Sequence, residues 1–258
     1  MRNVLASLTA VAVIFTAVPS AAQSQGQQQG ITQQQAEEML KELRAIRKAL
    51  ESVTQQAQPE APGPPADKRG RLTDVSGYAM GRPDAPLTMV EFTDLQCPYC
   101  NRFTTTTFNE LKTQYIDTGK VRFISRDFPL DFHPQALPAA KATRCAGEQG
   151  KFFELRLALL RGASQLSPAF ITATARSLAL DMVAFEGCQK STRFEADIRR
   201  DVSAGRSVGV EGTPSFFVGP TSAGALDGVL LVGAQPFTMI DAKLKELLAA
   251  LPAAKPAK

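Results

Sequence analysis

Apolar residues follow a heptad spacing near the start of the chain. Between residues 36 and 53 they recur every three or four residues, with charged residues between them: Ala36, Met39, Leu43, Ile46, Leu50 and Val53. This spacing predicts an amphipathic helix with a short coiled-coil seam on one side. A proline-rich segment follows, so the seam favours self-association, and leucine at the a positions favours three or four chains. A helix packed on its own globular domain is the alternative.

After residue 71 the pattern changes to short β-type runs and longer stretches of helical periodicity. Strands are predicted, in chain order, at residues 87–92, at 121–128, in the apolar run that begins at Pro214, and at 228–233. Residues 134–208 are predicted to be mainly helical, and a last helix is predicted at 236–251. Residues 71–251 are therefore expected to form one α/β domain that contains a helical insertion.

The first residues have the pattern of an export signal. Arg2 precedes an uncharged apolar run from Val4 to Val18, and small residues follow it, so residues 1–22 are predicted to be a cleaved signal peptide. The run is too short for a transmembrane helix, and no membrane span is expected in the mature protein. Three other segments are predicted to lack a packed structure: the Gln-rich residues 23–35, the linker at 57–70 with its four prolines, and the tail at 252–258.

Composition and charge exclude several classes of protein. The chain has 258 residues, 44% of them hydrophobic, and its 29 basic and 25 acidic side chains give a net charge of +4. A disordered tail and a small disulfide-rich knot are excluded, and the scattered basic residues indicate no nucleic-acid partner. Export would place all four cysteines where disulfides persist, which predicts the bacterial periplasm.

Cys97-Pro98-Tyr99-Cys100 stands between the predicted strand at 87–92 and a single helix predicted at residues 101–115. Free N–H groups and the helix dipole stabilise an anion at a helix N-terminus, so Cys97 is expected to ionise near neutral pH. Cys100 lies one turn further along and suits the resolving role. A zinc site would need a second pair of ligands at a suitable spacing, which the sequence lacks, so neither a metal nor a cofactor is expected.

The other two cysteines, Cys145 and Cys188, lie in the predicted helical insertion. An even number of cysteines in an exported chain favours a structural disulfide between them. A second redox pair and two buried free thiols are the alternatives. The single histidine, His133, is expected to be an ordinary residue of a surface loop.

Three motifs carry a family resemblance: Gly81-Arg82-Pro83-Asp84-Ala85-Pro86 before the first strand, the CPYC pair, and Gly212-Thr213-Pro214 after the helical stretch. With them, residues 74–251 resemble the DsbA-like, thioredoxin-fold thiol-disulfide oxidoreductases of the periplasm. The resemblance implies a cis Pro214 facing the cysteines, with Pro98, Tyr99 and Thr213 beside it at the substrate. It also implies that Glu91 is a buried carboxylate that assists proton transfer to and from Cys100; a partly exposed strand residue is the alternative.

The resemblance further implies a reaction on protein disulfides. Cys97 attacks a disulfide of an exported protein, and Cys100 or a substrate thiol resolves the adduct. Thr213 resembles the isomerase and reductase branches (DsbC, DsbG and ScsC), and Tyr99 stands where the strongest oxidant has histidine, so isomerase or reductase activity is favoured.

A homo-oligomer formed through residues 36–53 and a DsbD-type membrane reductase are the partners implied, although nothing before Asp74 resembles the dimerisation domain of DsbC. A monomeric DsbA-like oxidase is one alternative. A redox-linked holdase or copper-binding protein without enzymatic activity is the other.

Overall fold

The computed structural model describes residues 32–56 and 68–252. The predicted signal peptide, most of the Gln-rich segment, residues 57–67 of the linker and residues 253–258 of the tail lie outside the described residues. The chain divides into two compact units, residues 1–63 and 64–258. Within the described part, no helix is both long enough and apolar enough to cross a membrane.

The predicted N-terminal helix is present as α1, Gln33–Gln56. It begins with a capping box, because the Thr32 hydroxyl accepts from the Gln35 backbone N–H while the Gln35 side chain accepts from the Thr32 backbone N–H. One side of α1 exposes about half of the surface of each of four large apolar side chains: Met39, Leu40, Leu43 and Ile46. Self-association of this helix stays a prediction.

The second unit is built on a mixed six-stranded sheet. Its strands are β1 (Lys68–Leu72), β2 (Tyr78–Met80), β3 (Leu87–Thr93), β4 (Val121–Asp127), β5 (Ser215–Pro220) and β6 (Leu226–Val232). They lie in the order β1-β6-β5-β3-β4-β2, and β3 and β4 form the parallel pair. Every residue of β3 is buried, as expected of a central strand with both faces covered.

The predicted linker at 57–70 extends too far, because its last three residues belong to the sheet. Lys68 pairs with Leu230 and Gly70 pairs with Gly228, in antiparallel register. The segment Lys68–Leu72 is basic and has no clear alternation, so its sequence resembles a linker. Lysine and arginine are nevertheless typical of edge strands, where they oppose pairing with other chains.

The helices that follow the sheet strands are α2 (Pro98–Thr106), α3 (Phe108–Leu111), α4 (Ala136–Gly147), α5 (Phe152–Arg161), α6 (Pro168–Ser177), α7 (Met182–Lys190), α8 (Glu195–Ser207) and α9 (Phe237–Ala249). The predicted insertion is therefore confirmed as α4–α8. Ser167 and Asp181 cap α6 and α7 by accepting from backbone N–H groups, as their positions before these helices predict.

The single helix predicted at residues 101–115 is divided into three parts, α2, α3 and a π-helical turn at Lys112–Ile116. The break is at Thr107, whose φ of −115° departs from helical geometry and whose hydroxyl donates to the Gln235 carbonyl. Thr105 and Thr106 donate back to carbonyls in the preceding turn, a pattern that weakens helices.

Apolar layers cover both faces of the sheet. On one face Phe103, Phe108 and Ile240, from α2, α3 and α9, pack against Phe123 and Phe216 of the strands. On the other face, Phe92 and Phe217 lie in a second apolar cluster. The core therefore fixes β3 from both sides, and the residues that follow β3 are held in place by this packing.

Candidate active site

The turn between β3 and α2 positions the two cysteines. Cys97 is the N-cap residue of α2, and Pro98 fills the first helical position, where no backbone N–H is required. The Asp94 carboxylate orders the turn by accepting from the backbone N–H groups of Gln96 at 2.7 Å and Leu130 at 2.8 Å. The Cys97 sulfur is thereby held at the positive end of the helix.

Cys97 is almost completely buried, with 3% of its surface exposed. Its Sγ lies 3.4 Å from the carbonyl oxygen of Thr213, which precedes a cis peptide bond to Pro214. The hydrogen bond from the Cys100 thiol lowers the pKa of Cys97 most, and Thr213 and the backbone N–H groups of Cys100 and Tyr99 lower it further, to about 5. Burial opposes this change but does not prevail, so Cys97 is a thiolate at neutral pH.

The pKa of Cys100 is shifted in the opposite direction from that of Cys97. It is fully buried, and burial raises its pKa well above the ordinary value. Donation to Cys97 and repulsion from the Cys97 thiolate raise this pKa further, whereas the Thr93 side chain lowers it. Cys100 therefore keeps its proton while Cys97 carries the charge, which is the division of roles that thiol exchange requires.

Glu91 is completely buried in β3, so the alternative of a partly exposed strand residue is wrong. Its Oε2 accepts from the guanidinium of Arg156, which lies in α5 and is also buried. Sequence reasoning missed Arg156. The one sequence feature that could have indicated it is a positive charge within the largely apolar run Phe152–Leu160. No local sequence pattern connects that run to Glu91, which lies 65 positions earlier.

His133 does not lie freely on a surface loop, and that expectation is wrong. Its Nδ1 is 2.8 Å from Asp94 Oδ2, and only 16% of its side chain is exposed. The loop packs back on the β3–α2 turn, because the Gln135 backbone N–H also donates to the Gln96 side chain at 2.7 Å. The sole histidine thus belongs to the framework that supports the cysteine pair.

Among the residues assigned to substrate binding, Pro98 and Tyr99 are exposed, with 61% of Tyr99 open to solvent. Thr213 and Pro214 are buried beside Cys97. The loop that carries Pro214 is joined to the end of β6 by a hydrogen bond from the Gly233 backbone N–H to the Pro214 carbonyl, at 2.8 Å. Two of the four residues assigned to the substrate are therefore open to solvent next to Cys97, and the other two are buried with it.

Cys145 and Cys188 form a disulfide that joins α4 to α7. Both are buried in an apolar cluster that also includes Leu155, Cys97 and Cys100. The disulfide closes a loop within the helical insertion and lies in the same apolar cluster as Cys97 and Cys100. A dithiol at a helix N-terminus, a cis proline beside it and a mixed sheet together define a thioredoxin-fold protein.

Comparison with known proteins agrees with this class. A family model described as thioredoxin, Thioredoxin_4, matches residues 73–226. Among solved structures, α-DsbA1 of Wolbachia pipientis has 26% identity and a TM-score of 0.60, with 72% of this chain and 92% of that one covered. The catalytic domain of Proteus mirabilis ScsC has 23% identity and a TM-score of 0.53, with 79% and 98% covered. The chain belongs to the thioredoxin family, in its DsbA-like branch of thiol-disulfide oxidoreductases.

Curated relatives match a little more than half of the chain. The Na(+)/H(+) antiporter NhaA 3 of Salinispora tropica is 35% identical over 161 residues, which is 60% of this chain and 24% of the relative. NhaA 1 of Salinispora arenicola is 37% identical over 142 residues, or 21% of its length. The chain therefore spans about a quarter or less of these two relatives, whose names describe the whole proteins.

Proposed function

We propose that the protein exchanges disulfides in exported proteins of the periplasm, acting as an isomerase or reductase. One observation carries this proposal: Cys97 is the N-cap of α2 and lies 3.4 Å from the carbonyl before a cis proline, and in this position its pKa is lowered to about 5. This value lies between about 7 for thioredoxin and about 3.5 for the strong oxidant DsbA. A thiolate of intermediate stability favours a potential between those of a reductant and a strong oxidant, where isomerases operate.

The arrangement supports a defined sequence of steps. The Cys97 thiolate attacks a substrate sulfur that approaches past the exposed Pro98 and Tyr99, and it forms a mixed disulfide. A second substrate thiol completes an isomerisation, whereas attack by Cys100 completes a reduction. Glu91 is the group that takes the Cys100 proton in the second case. No resident metal or cofactor is needed for these steps.

Assembly through residues 36–53 is the second part of the proposal. The support is the half-exposed apolar side of α1, which a helix isolated in water would not retain without a partner. Several chains joined in this way would hold one misfolded client at more than one cysteine pair, which raises the effective concentration of each pair.

The third part concerns location and electron supply. Residues 1–22 carry the export pattern, so we assign the mature protein to the periplasm. An isomerase or reductase must be kept in its dithiol form, and a membrane reductase of the DsbD type suits this task. Residues 57–67 then serve as the proline-rich link between the assembly helix and the thioredoxin unit.

Reactivation of scrambled ribonuclease, together with reduction of insulin, tests the activity. We expect mature protein to catalyse both reactions, Cys97→Ser to abolish both, and Cys100→Ser to accumulate mixed disulfide. Alkylation of Cys97 by iodoacetamide should follow a midpoint near pH 5. Titration like an ordinary cysteine, with exchange no faster than that of glutathione, contradicts the proposal; a potential near about −120 mV identifies an oxidase instead.

A further inference from the structure

The buried ion pair between Glu91 and Arg156 joins the helical insertion to the strand that leads to Cys97. Glu91 is in β3 and Arg156 in α5, and no more than 2% of either side chain is exposed. One guanidinium nitrogen of Arg156 donates to Glu91 Oε2. A charge without a partner is very costly in such surroundings, so the carboxylate form of Glu91 depends on the guanidinium of Arg156.

The second oxygen of Glu91 is open. Oε1 has no hydrogen-bond partner in the part of the chain that the structure describes, although it is fully buried. Glu91 and Thr93 are two residues apart on one strand, so their side chains share a face and are separated by roughly 6.6 Å along it. The Thr93 side chain in turn favours the thiolate of Cys100. The open oxygen therefore lies on the face of β3 that Cys100 adjoins.

The charges around Glu91 act in opposite directions. Burial raises the pKa of Glu91 above its ordinary value, and the charge and hydrogen bond of Arg156 limit that rise. Burial likewise raises the pKa of Asp127 of β4, and the charges of Arg144 and Arg156 oppose this rise. Among the described residues, Arg156 of α5 is thus the charged group that acts on Glu91, and it favours the carboxylate form.

We propose that Arg156 is a positioning residue of the exchange reaction: it holds Glu91 ionised through Oε2, so that Oε1 is free to accept the proton of Cys100. The step is resolution of the mixed disulfide. The proton passes from Cys100 Sγ to Glu91 Oε1, the Cys100–Cys97 bond forms, and the bond from Cys97 to the substrate sulfur breaks. The substrate leaves as a thiolate, and the cysteine pair gives up the two electrons that the substrate disulfide gains.

This role rests on the proposed disulfide exchange, and a single-turnover experiment separates the two. Reduced protein is mixed with a quenched fluorescent peptide disulfide over a range of pH. Attack by Cys97 releases the first half of the peptide, and resolution by Cys100 releases the second half. A wild-type protein that releases neither half refutes the function, whereas the pH dependence of the second phase tests Arg156.

Arg156→Met should raise the pH midpoint of the second phase by about 1 to 3 pH units, the usual effect of one close opposite charge. The second phase at pH 7 should slow by about tenfold for each of these units. The first phase should be unchanged, because neither Glu91 nor Arg156 is among the groups that set the pKa of Cys97. Arg156→Lys, which keeps the charge, should restore most of the wild-type profile.

Arg144→Met is the matched control. Arg144 is the other arginine beside Asp127, to which its Nε donates at 2.6 Å, and it also pairs with Asp201. Its removal deletes a largely buried charge without breaking the pair of Glu91, so the midpoint should not move. The proposal is overturned if Arg156→Met leaves the pH midpoint of the second phase unchanged. It is also overturned if Arg156→Met shifts that midpoint by the same amount in a protein that already carries Glu91→Gln.

A further measurement needs no change at Arg156 and remains decisive if Arg156→Met does not fold. Carboxyl-labelled glutamate is observed by NMR in the reduced wild-type protein, and Glu91→Gln identifies the signal. An ionised Glu91 at pH 7 supports the proposal, and a protonated Glu91 at pH 7 overturns it. This result is independent of any turnover.

Discussion

Two cysteines three positions apart hold their protons with very different strength, and neighbouring residues decide which one ionises. Cys97 at the helix end is stabilised as an anion, whereas Cys100 is buried and acts as the donor. Motif and strand order predict the helix end but not the carbonyl of Thr213, 116 positions away. They also fail to predict that His133 supports Asp94, because the loop folds back only in three dimensions.

The ionisation of Cys97 makes the stability of the reduced protein depend on pH. Its pKa is about 5 in the folded state against 9.0 for the free group, so the folded state favours the thiolate. The resulting stabilisation is complete above pH 9 and is lost as the pH falls through 5. We expect the free energy of unfolding of the reduced protein to rise between pH 5 and 8 relative to Cys97→Ser, measured by urea denaturation. Parallel curves for the two proteins would contradict this.

At the level of elements, the sequence predicts what depends on local periodicity and misses what depends on pairing. The central strands and the helical insertion are apolar and periodic, so their positions are predictable from the residues. β1 is polar, and it forms a strand because it pairs with β6. The local pattern places Arg156 in helix α5. Its ion pair with Glu91 of β3 cannot be predicted from any local pattern. The predictable part is therefore the scaffold, and the missed part is the contact between the scaffold and its insertion.

The disulfide between α4 and α7 is a contribution of the insertion that can be measured. It closes a loop with a sequence separation of 43 residues, for which the chain-entropy model gives about 4 kcal/mol. Replacing Cys145 and Cys188 together by alanine should lower the free energy of unfolding by up to about that amount. Insulin reduction at 25 °C should remain, because Cys97 and Cys100 are unchanged. Loss of reductase activity in a protein that still folds would show that the disulfide takes part in the reaction.

At the level of the whole molecule, α1 belongs to one compact unit and the thioredoxin domain to the other. The boundary matters for any truncation, because Lys68–Leu72 is a strand of the sheet. A chain shortened to begin within β1 would lose edge pairing as well as α1. The first residue of a safe truncation is therefore no later than Lys68.

A mature chain that starts at residue 64 should be monomeric, reduce insulin at the full-length rate and isomerise scrambled ribonuclease poorly. The matched variant is the full-length Leu43→Lys/Ile46→Lys protein, in which two half-exposed apolar residues of α1 become charged. It should likewise be monomeric by mass in solution and have the same activities, because charge in a seam prevents association. An isomerase rate equal to that of the full-length protein in both variants would remove assembly from the proposal.

The long-range contacts of β3 and Cys97 determine when the active site can form during synthesis. Met89 of β3 pairs with Val218 of β5, and Cys97 meets Thr213. During synthesis, ribosomes must therefore add more than a hundred residues after the cysteines before either contact can form. Until then the nascent chain lacks both the pairing of β3 with β5 and the contact of Cys97 with Thr213. The topology thus delays completion of the site until residues far beyond the cysteines have been added.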